Sequence, residues 1–276
     1  MNLPYLVPRL VRHFLPEKLV RAMLLRSWII RPGLETSDPF AAVQRYVDAL
    51  SEKGLSFQNK RVLVFGYGGR FDIGVGLLKE GASHVILCDK FAAPDEIHNG
   101  RLFSAEEKYF IAENNKLRPR PGWLTLVQED IREVQARGTL EPVDIVVSNS
   151  VYEHLDDVEG ITCALAALTK PDGYQIHFVD LRDHFFKYPF EMLSFSETTW
   201  RRWLNPSSNH NRYRLWNYRG AFESCFENVE IEILSRDEEA FHRLLPRILL
   251  EFISGNMDED AATMIRVFTS RPLKSK

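Results

Sequence analysis

Residues 61–74 read Arg-Val-Leu-Val-Phe-Gly-Tyr-Gly-Gly-Arg-Phe-Asp-Ile-Gly, an apolar run that stops at a cluster of glycines. The chain then reads as a helix through Glu80, and a second apolar run at 85–88 ends in Asp89, twenty-one residues beyond Gly68. Glycines let the backbone approach a ligand closely, and an acid at a strand end accepts hydrogen bonds from ribose hydroxyls. A strand, a glycine turn, a helix and an acid-tipped strand together predict a nucleotide-binding crossover.

Two common ligands of such a loop do not match its sequence. A dinucleotide fingerprint has glycines at its first, third and sixth positions, and the sixth position from Gly66 is Phe71. A phosphate-binding loop would contain Gly-Lys followed by Ser or Thr, and this loop has no such sequence.

The loop instead resembles the S-adenosylmethionine loop of class I methyltransferases, which reads Gly-x-Gly-Gly and is followed by an acid at the end of the next strand. Three later segments resemble further motifs of that family in the same order. Residues 126–131 resemble the segment whose acid reads the adenine amino group, 143–155 the fourth strand and its turn, and 168–173 the turn before the fifth strand. The resemblance covers about residues 60–180.

The resemblance implies a cofactor site for S-adenosylmethionine. The loop glycines would line the methionine end of the cofactor, Asp89 would bind the ribose and Asp130 the adenine. The implied cofactor-binding residues are Gly66, Tyr67, Gly68, Gly69, Asp89, Lys90, Asp130, Ile131 and Asn149.

One position departs from the family pattern. The family usually has an acid two residues before the first loop glycine, where it helps to hold the methionine end, and this chain has Val64 there. Either Asp72 substitutes for that acid or the domain has lost cofactor affinity. The other motifs favour retained binding.

The alternation of strands and helices predicts an α/β fold, with a doubly wound, mostly parallel seven-stranded sheet and helices on both faces. The resemblance implies that the last strand is antiparallel and lies between the fifth and the sixth. The predicted strands lie near 61–65, 84–88, 124–127, 143–148, 174–179, 226–234 and 263–269.

Residues 1–59 are predicted to form a helical N-terminal extension of the methyltransferase domain, which spans 60–276. Asp38 followed by Pro39 predicts the start of a helix that continues through Leu50.

Composition indicates an ordinary globular protein, with 45% hydrophobic and 26% charged residues. Nucleic acid is not predicted as a partner, because the net charge is −3. Cys88, Cys163 and Cys225 are odd in number and far apart, so neither a disulfide framework nor a zinc site is predicted. The chain has no apolar run of membrane-spanning length and no segment typical of a signal peptide, so the predicted location is cytoplasmic.

Charge is concentrated at the N-terminus. Residues 1–31 contain six bases and one acid, so this segment carries +5 and the remainder −8 of the net −3. Apolar residues alternate with the bases at helical spacing. The segment is either an interfacial helix on anionic lipid, giving a weak membrane-surface contact, or a helix that covers the catalytic domain and keeps its bases in water. Pro8 and Pro16 interrupt a single long helix and favour the second interpretation.

The connection between the fifth and sixth strands, about 181–222, is longer than a simple connection requires. Between Thr198 and Phe222 it has no acid, and five arginines alternate there with several aromatic residues. Arginine binds phosphate or carboxylate, and aromatic rings stack on sugars or bases. We therefore predict an insert that binds an anionic small-molecule acceptor through Arg212, Arg214 and Trp216. Alternatively, these arginines are solvated or pair with acids elsewhere.

Methylation of a hydroxyl requires alignment and a base for its proton. The two candidate catalytic residues are His154, after the fourth strand, and Asp180, at the tip of the fifth. His154 could instead stabilise its turn. A divalent metal held by Asp180, Asp183 and His184 is a less favoured alternative, and no metal is predicted. The favoured function is O-methylation of a sugar or an anionic glycan or nucleotide-linked precursor. N- or C-methylation and a non-catalytic cofactor-binding role remain alternatives.

Overall fold

The computed structural model describes residues 2–14, 38–113, 116–183, 187–205 and 210–273. Its strands are β1 (Arg61–Phe65), β2 (His84–Cys88), β3 (Phe110–Glu113), β4 (Lys116–Pro119), β5 (Leu124–Val127), β6 (Val143–Asn149), β7 (Thr169–Asp180), β8 (Phe226–Arg236) and β9 (Ala262–Pro272). Its α-helices are α1 (Leu3–Phe14), α2 (Pro39–Ser51), α3 (Asp72–Lys79), α4 (Glu96–Glu106), α5 (Ile131–Arg137), α6 (Val158–Ala167), α7 (Glu197–Thr199), α8 (Leu215–Glu223), α9 (Glu238–Leu244) and α10 (Met257–Asp260).

Seven strands form one sheet in the order β5-β2-β1-β6-β7-β9-β8, and β3 and β4 pair separately. Strands β5, β2, β1, β6 and β7 are parallel, whereas β9 runs antiparallel between β7 and β8. This topology confirms the predicted sheet and the position of its last strand.

The apolar runs alternate between the two faces of the sheet. Leu63 and Ile86 pack in one core with residues of α5, α6 and α8. Val62 and Val64 pack in a second core with residues of α2 and α3. Because both faces of β1 are covered, its sequence is a continuous apolar run, as expected for a buried parallel strand.

Strand β7 begins earlier than predicted, at Thr169 instead of 174. Thr169 pairs with Val143, and pairing resumes regularly at Tyr174, so residues 170–173 form an irregularity within the strand. A Cβ on Gly173 would lie 2.7 Å from the Asp144 carbonyl oxygen. The predicted turn is therefore a bulge that packs closely on β6.

The N-terminal helices agree only partly with prediction. Asp38 caps α2 by accepting a hydrogen bond from the Ala41 amide, and Pro39 is the first helical residue, as predicted. Pro8, by contrast, lies inside α1 without ending it. Pro16 lies outside the described residues, and the division into an extension and a domain stays a prediction.

The prediction that the cysteines form no disulfide is wrong. Cys163 on α6 and Cys225, two residues after α8, are joined. They are 62 residues apart and become neighbours only because these two helices pack together. Spacing along the chain therefore gave no signal for this pair.

None of the described helices is long and apolar enough to cross a membrane. Across the same residues, no group of His, Cys, Asp or Glu is arranged to hold a metal ion. His184 lies outside the described residues.

Candidate active site

A cleft of about 480 Å³ lies at the carboxyl edge of the sheet, where β1, β2 and β6 end. Parallel strands that are neighbours bring the residues at their carboxyl ends together, which is where open α/β sheets bind ligands. Seven of the residues implied by the methyltransferase resemblance line this cleft, namely Gly66, Gly68, Asp89, Lys90, Asp130, Ile131 and Asn149.

Tyr67 and Gly69 do not line this cleft. Gly69 has a φ of +90°, and a Cβ there would lie 2.6 Å from the Ala93 carbonyl oxygen. Tyr67 is buried, its ring stacks on Phe71, and burial raises the pKa of its hydroxyl. Tyr67 and Gly69 therefore determine the shape of the loop, and their contact with the cofactor stays a prediction.

The position of the missing family acid is filled by the core. Val64 is fully buried, and Asp72 opens α3 and pairs with Arg70, with 3.4 Å between Oδ2 and Nε. Asp72 is not part of the cleft lining. This position does not favour Asp72 as the substitute for the acid, which stays a hypothesis.

The Asp89 carboxylate holds the loop after β2 in place by hydrogen bonds and can still accept one from a ligand. Its Oδ1 accepts hydrogen bonds from the Phe91 and Ala92 amides at 2.9 and 2.8 Å, and its Oδ2 accepts a longer one, 3.3 Å, from the Gly68 amide. A carboxylate has about four acceptor sites. Oδ2 can therefore accept a further hydrogen bond from a ribose hydroxyl.

Asp130, in contrast, has its acceptor sites filled. It caps α5, and its two oxygens accept three hydrogen bonds from Arg132 and one from Lys90. The hydrogen-bonded Arg132 side chain holds the pKa of Asp130 well below its usual value. An adenine contact through this carboxylate would displace Lys90, whose side chain is about half exposed.

Asn149 is oriented by the N-terminal region. Its Oδ1 accepts a hydrogen bond of 2.8 Å from Arg45 Nη1 on α2. The next residue, Ser150, also lines the cleft and has a φ of +55°, a strained backbone for a residue other than glycine. Such strain is concentrated at functional sites.

The cleft fits a nucleoside cofactor. The apolar residues Ile131, Val151, Leu155 and Ile161 line it together with the acid Asp89. Its volume falls within the range of about 300–1,000 Å³ that is usual for small-molecule sites. Bound S-adenosylmethionine would supply an activated methyl group there.

Replacing Asp89 with alanine should lower affinity for S-adenosylhomocysteine at least tenfold, because a hydrogen bond to a charged group is worth about 1.5–3 kcal/mol. Calorimetric titration measures this change. The matched control is Asp72→Ala, which removes an acid just outside the cleft and should leave affinity within about twofold. Equal losses in the two variants would instead assign Asp72 the role of the missing family acid.

A second cleft, of about 550 Å³, adjoins the first, and Leu155 and Asp156 line both. Its wall is formed mainly by the predicted insert, together with Glu251 and Phe252 of a later turn. The lining residues are Leu155, Asp156, Glu197, Trp200, Arg201, Asn205, His210, Asn211, Arg212, Tyr213, Asn217, Glu251 and Phe252.

Asn211, which lines the second cleft, is hydrogen-bonded to the turn that leads into the residues shared by both clefts. Its Nδ2 donates to the carbonyl oxygens of Tyr152 and Leu155 at 2.7 and 3.1 Å, and its backbone amide donates to the Glu153 carbonyl. The insert is therefore tied to the short turn Tyr152–His154 that follows β6.

Of the three residues predicted to bind an anionic acceptor, only Arg212 lines the second cleft. Its buried guanidinium pairs with Glu197 and donates to the carbonyl oxygens of Met192 and Phe195. Its charge is therefore compensated within the protein.

The other two predicted acceptor ligands, Arg214 and Trp216, line neither cleft. Arg214 is fully buried and donates to the carbonyl oxygens of Leu181, Asp260 and Ala262 at 3.2, 2.8 and 2.8 Å. It fastens the insert to β9 and the end of β7.

The two candidate bases differ in position. His154 is half-buried, lines the first cleft and precedes the two residues shared with the second. Asp180 lines neither cleft, and its two oxygens bind Arg182 Nε and Nη2 at 2.9 and 2.7 Å. Because its carboxylate is held by Arg182 and is not part of either lining, Asp180 is the less favoured of the two candidates.

Two other histidines, His177 and His210, are buried. His177 hydrogen-bonds Ser148 and Gln175 in the core, where burial lowers its pKa to about 3, so it is neutral. His210 lines the second cleft, and its ring centroid is 6.0 Å from that of His154. Sequence reasoning missed His210 because no motif surrounds it and its position in the insert was the only signal.

A family model described as "Methyltransferase domain" matches residues 103–177. Among solved structures, the chain is similar to phosphoethanolamine N-methyltransferase 2 of Haemonchus contortus, with a TM-score of 0.52, 14% identity and coverage of 92% of this chain and 60% of that chain. It is also similar to an S-adenosylmethionine-dependent methyltransferase of Mesorhizobium loti, with a TM-score of 0.44, 16% identity and coverage of 81% and 96%. No curated protein sequence matches the chain.

At these identities the solved structures are evidence for the fold alone. The family match includes Asp130, Asn149 and His154, and the cleft at the sheet edge fits the cofactor. The match to the methyltransferase model and the class I, Rossmann-like fold together support an S-adenosylmethionine-dependent methyltransferase.

Proposed function

We propose that this methyltransferase acts on a hydroxyl group of a polar small molecule held in the second cleft. The observation that carries the proposal is the junction of the two clefts at Leu155 and Asp156, directly after His154. An acceptor in the second cleft would reach the methyl end of the cofactor through this junction.

The charges of the second cleft favour a neutral acceptor rich in hydroxyls, such as a sugar. Arg201 and Arg212 both pair with Glu197, and Asp156 and Glu251 add two further acids to the lining, so the lining has no excess of positive charge. The anionic acceptor predicted from the insert therefore loses its main support.

His154 is proposed as the general base. Its ring lines the first cleft beside the junction, where it would accept the proton that the acceptor hydroxyl loses on methylation. Turnover would then require the neutral imidazole and would rise with pH through the range in which histidine titrates.

N-methylation of an amine is the second candidate. Asp156 and Glu251 line the second cleft, and neither forms an ion pair with another described residue. Two carboxylates would attract a cationic amine. Analysis of the product distinguishes a methyl ether from a methylamine.

A cytoplasmic location stays a prediction. The disulfide between Cys163 and Cys225 weighs against it, because disulfides persist mainly in oxidising compartments.

Replacing Tyr213 with alanine tests the acceptor cleft. Its partly exposed ring lines this cleft and not the other, so its loss should raise the acceptor KM about fivefold to tenfold, the value of one aromatic contact. Affinity for S-adenosylhomocysteine should stay within twofold. Trp123→Ala, at a partly exposed aromatic residue outside both clefts, should change neither constant. An unchanged acceptor KM in Tyr213→Ala would contradict the assignment of this cleft.

A further inference from the structure

The apolar face of helix α1 is exposed on the surface of the protein. Its inward face buries Tyr5, Leu6 and Arg9. The large apolar side chains on the rest of the helix are exposed, from 37% at Leu10 to 73% at Phe14. The exposed set is Leu3, Val7, Leu10, Val11 and Phe14.

The orientation of α1 is set by polar contacts. Arg9 pairs with the buried Asp183 and donates to the Leu204 carbonyl oxygen at 2.7 Å, while the Tyr5 hydroxyl donates to Asp183. The Arg9 guanidinium also lies over the Trp200 ring, 4.7 Å from its centroid. Rotating the apolar face inward would leave the Asp183 carboxylate buried without these partners, which is strongly unfavourable.

This orientation is the reverse of the interpretation favoured by the sequence. A helix that covers the catalytic domain would bury its apolar residues and keep Arg9 in water. Trp203, partly exposed and with its ring 5.3 Å from the His13 ring, extends the apolar surface beyond α1. We call these six side chains, the five on α1 and Trp203, the α1 patch.

Contiguous exposed apolar surface of this kind marks a contact site, and charge indicates what covers it. With Arg9 neutralised by Asp183, residues 1–31 still contain five bases against one acid, whereas the rest of the chain is strongly acidic. We propose that the α1 patch binds an anionic lipid surface, with its apolar side chains in the headgroup boundary, and that the net positive charge of residues 1–31 favours anionic over neutral lipid.

A lipid contact here would lie beside the second cleft. The segment on which α1 packs, Trp200–Leu204, contributes Trp200 and Arg201 to the lining of that cleft. The proposal concerns binding alone, so its test does not depend on the methyl acceptor.

The test is flotation of the full chain with vesicles of phosphatidylcholine containing about one third phosphatidylserine, compared with vesicles of phosphatidylcholine only. Wild type should float with the anionic vesicles, at least tenfold less with the neutral ones, and less as salt is added, because salt screens the attraction. The double variant Val7→Glu with Phe14→Glu should lose at least tenfold in anionic-vesicle affinity.

The matched control is Leu250→Glu, which changes an apolar side chain that is 85% exposed and outside the α1 patch, and it should float as wild type does. Melting temperature and S-adenosylhomocysteine affinity should match wild type in both variants, since all three side chains are exposed.

Four outcomes would overturn the proposal. Wild-type protein that does not float with anionic vesicles contradicts it. A loss of flotation in Leu250→Glu as large as that in the double variant contradicts it as well. A double variant with a lower melting temperature and wild-type flotation would show that the chain itself covers the patch. A wild-type dimer that becomes monomeric in the double variant, without vesicle binding, would show that a second copy covers it.

Discussion

Turnover is expected to fall about a hundredfold or more in His154→Ala, because a positioned acid–base group contributes about 10²–10⁴ to the rate. The side chain is half-buried at the end of a short turn, and its ring lines the cleft without forming part of the core. Affinity for S-adenosylhomocysteine and the melting temperature should therefore hardly change. Initial rates of S-adenosylhomocysteine release measure the effect.

The control for His154 is Asp180→Asn, which removes the other residue that the sequence proposes as base. Its carboxylate binds Arg182 and lies outside both clefts, so the variant should retain the wild-type rise of turnover with pH. Loss of that pH dependence in Asp180→Asn, with His154→Ala nearly silent, would transfer the role to Asp180. Normal turnover in both variants would indicate an acceptor that needs no strong base.

Arg214→Met should lower the free energy of unfolding by about 3 kcal/mol or more, since each buried acceptor left unsatisfied costs about 1–3 kcal/mol. Three carbonyl oxygens, on Leu181, Asp260 and Ala262, would lose their donor. Burial lowers the pKa of Arg214 to about 10, which leaves the guanidinium charged at neutral pH, so its hydrogen bonds are strong ones. Urea unfolding measures the change.

The matched control for Arg214 is Arg219→Met, five residues further along α8. Arg219 is about half exposed and makes a single ion pair with Glu259, so its replacement should cost about 0–1 kcal/mol. A stable Arg214→Met protein with a raised acceptor KM would instead restore Arg214 as a ligand of an anionic acceptor.

The sheet was predictable because its signals are local. Each central strand is an apolar run bounded by turn residues. The order of the motifs along the chain implied the topology of the sheet, including the position of β9 between β7 and β8. The β3–β4 hairpin was not predicted, since its sequence lacks alternation and ends in Pro119. The disulfide depends on the packing of two helices whose cysteines are 62 residues apart. The bulge in β7 depends on how that strand pairs with β6. Neither contact has a local signal in the sequence.

The cofactor cleft was likewise predictable, because Gly66, Asp89 and Asn149 directly follow or end predicted strands. The acceptor cleft was not, since partners far along the chain decide the role of each arginine. Arg214 is held by backbone carbonyls, which no sequence pattern reveals. Arg212 pairs with Glu197, one residue before the acid-free stretch. The composition of the insert therefore predicted more arginines available to bind an anionic acceptor than the structure provides.

Methyl transfer to a hydroxylated small molecule is tested most directly by following S-adenosylhomocysteine release at saturating S-adenosylmethionine across pooled sugars, nucleotide-linked sugars and hydroxylated metabolites, with a pool of amines alongside. We expect release above the acceptor-free rate with at least one hydroxylated acceptor, a product that carries a methyl ether, and loss of most of that release in His154→Ala. Release with amines only, or cofactor binding without acceptor-dependent release in any pool, would contradict the proposed O-methyltransferase.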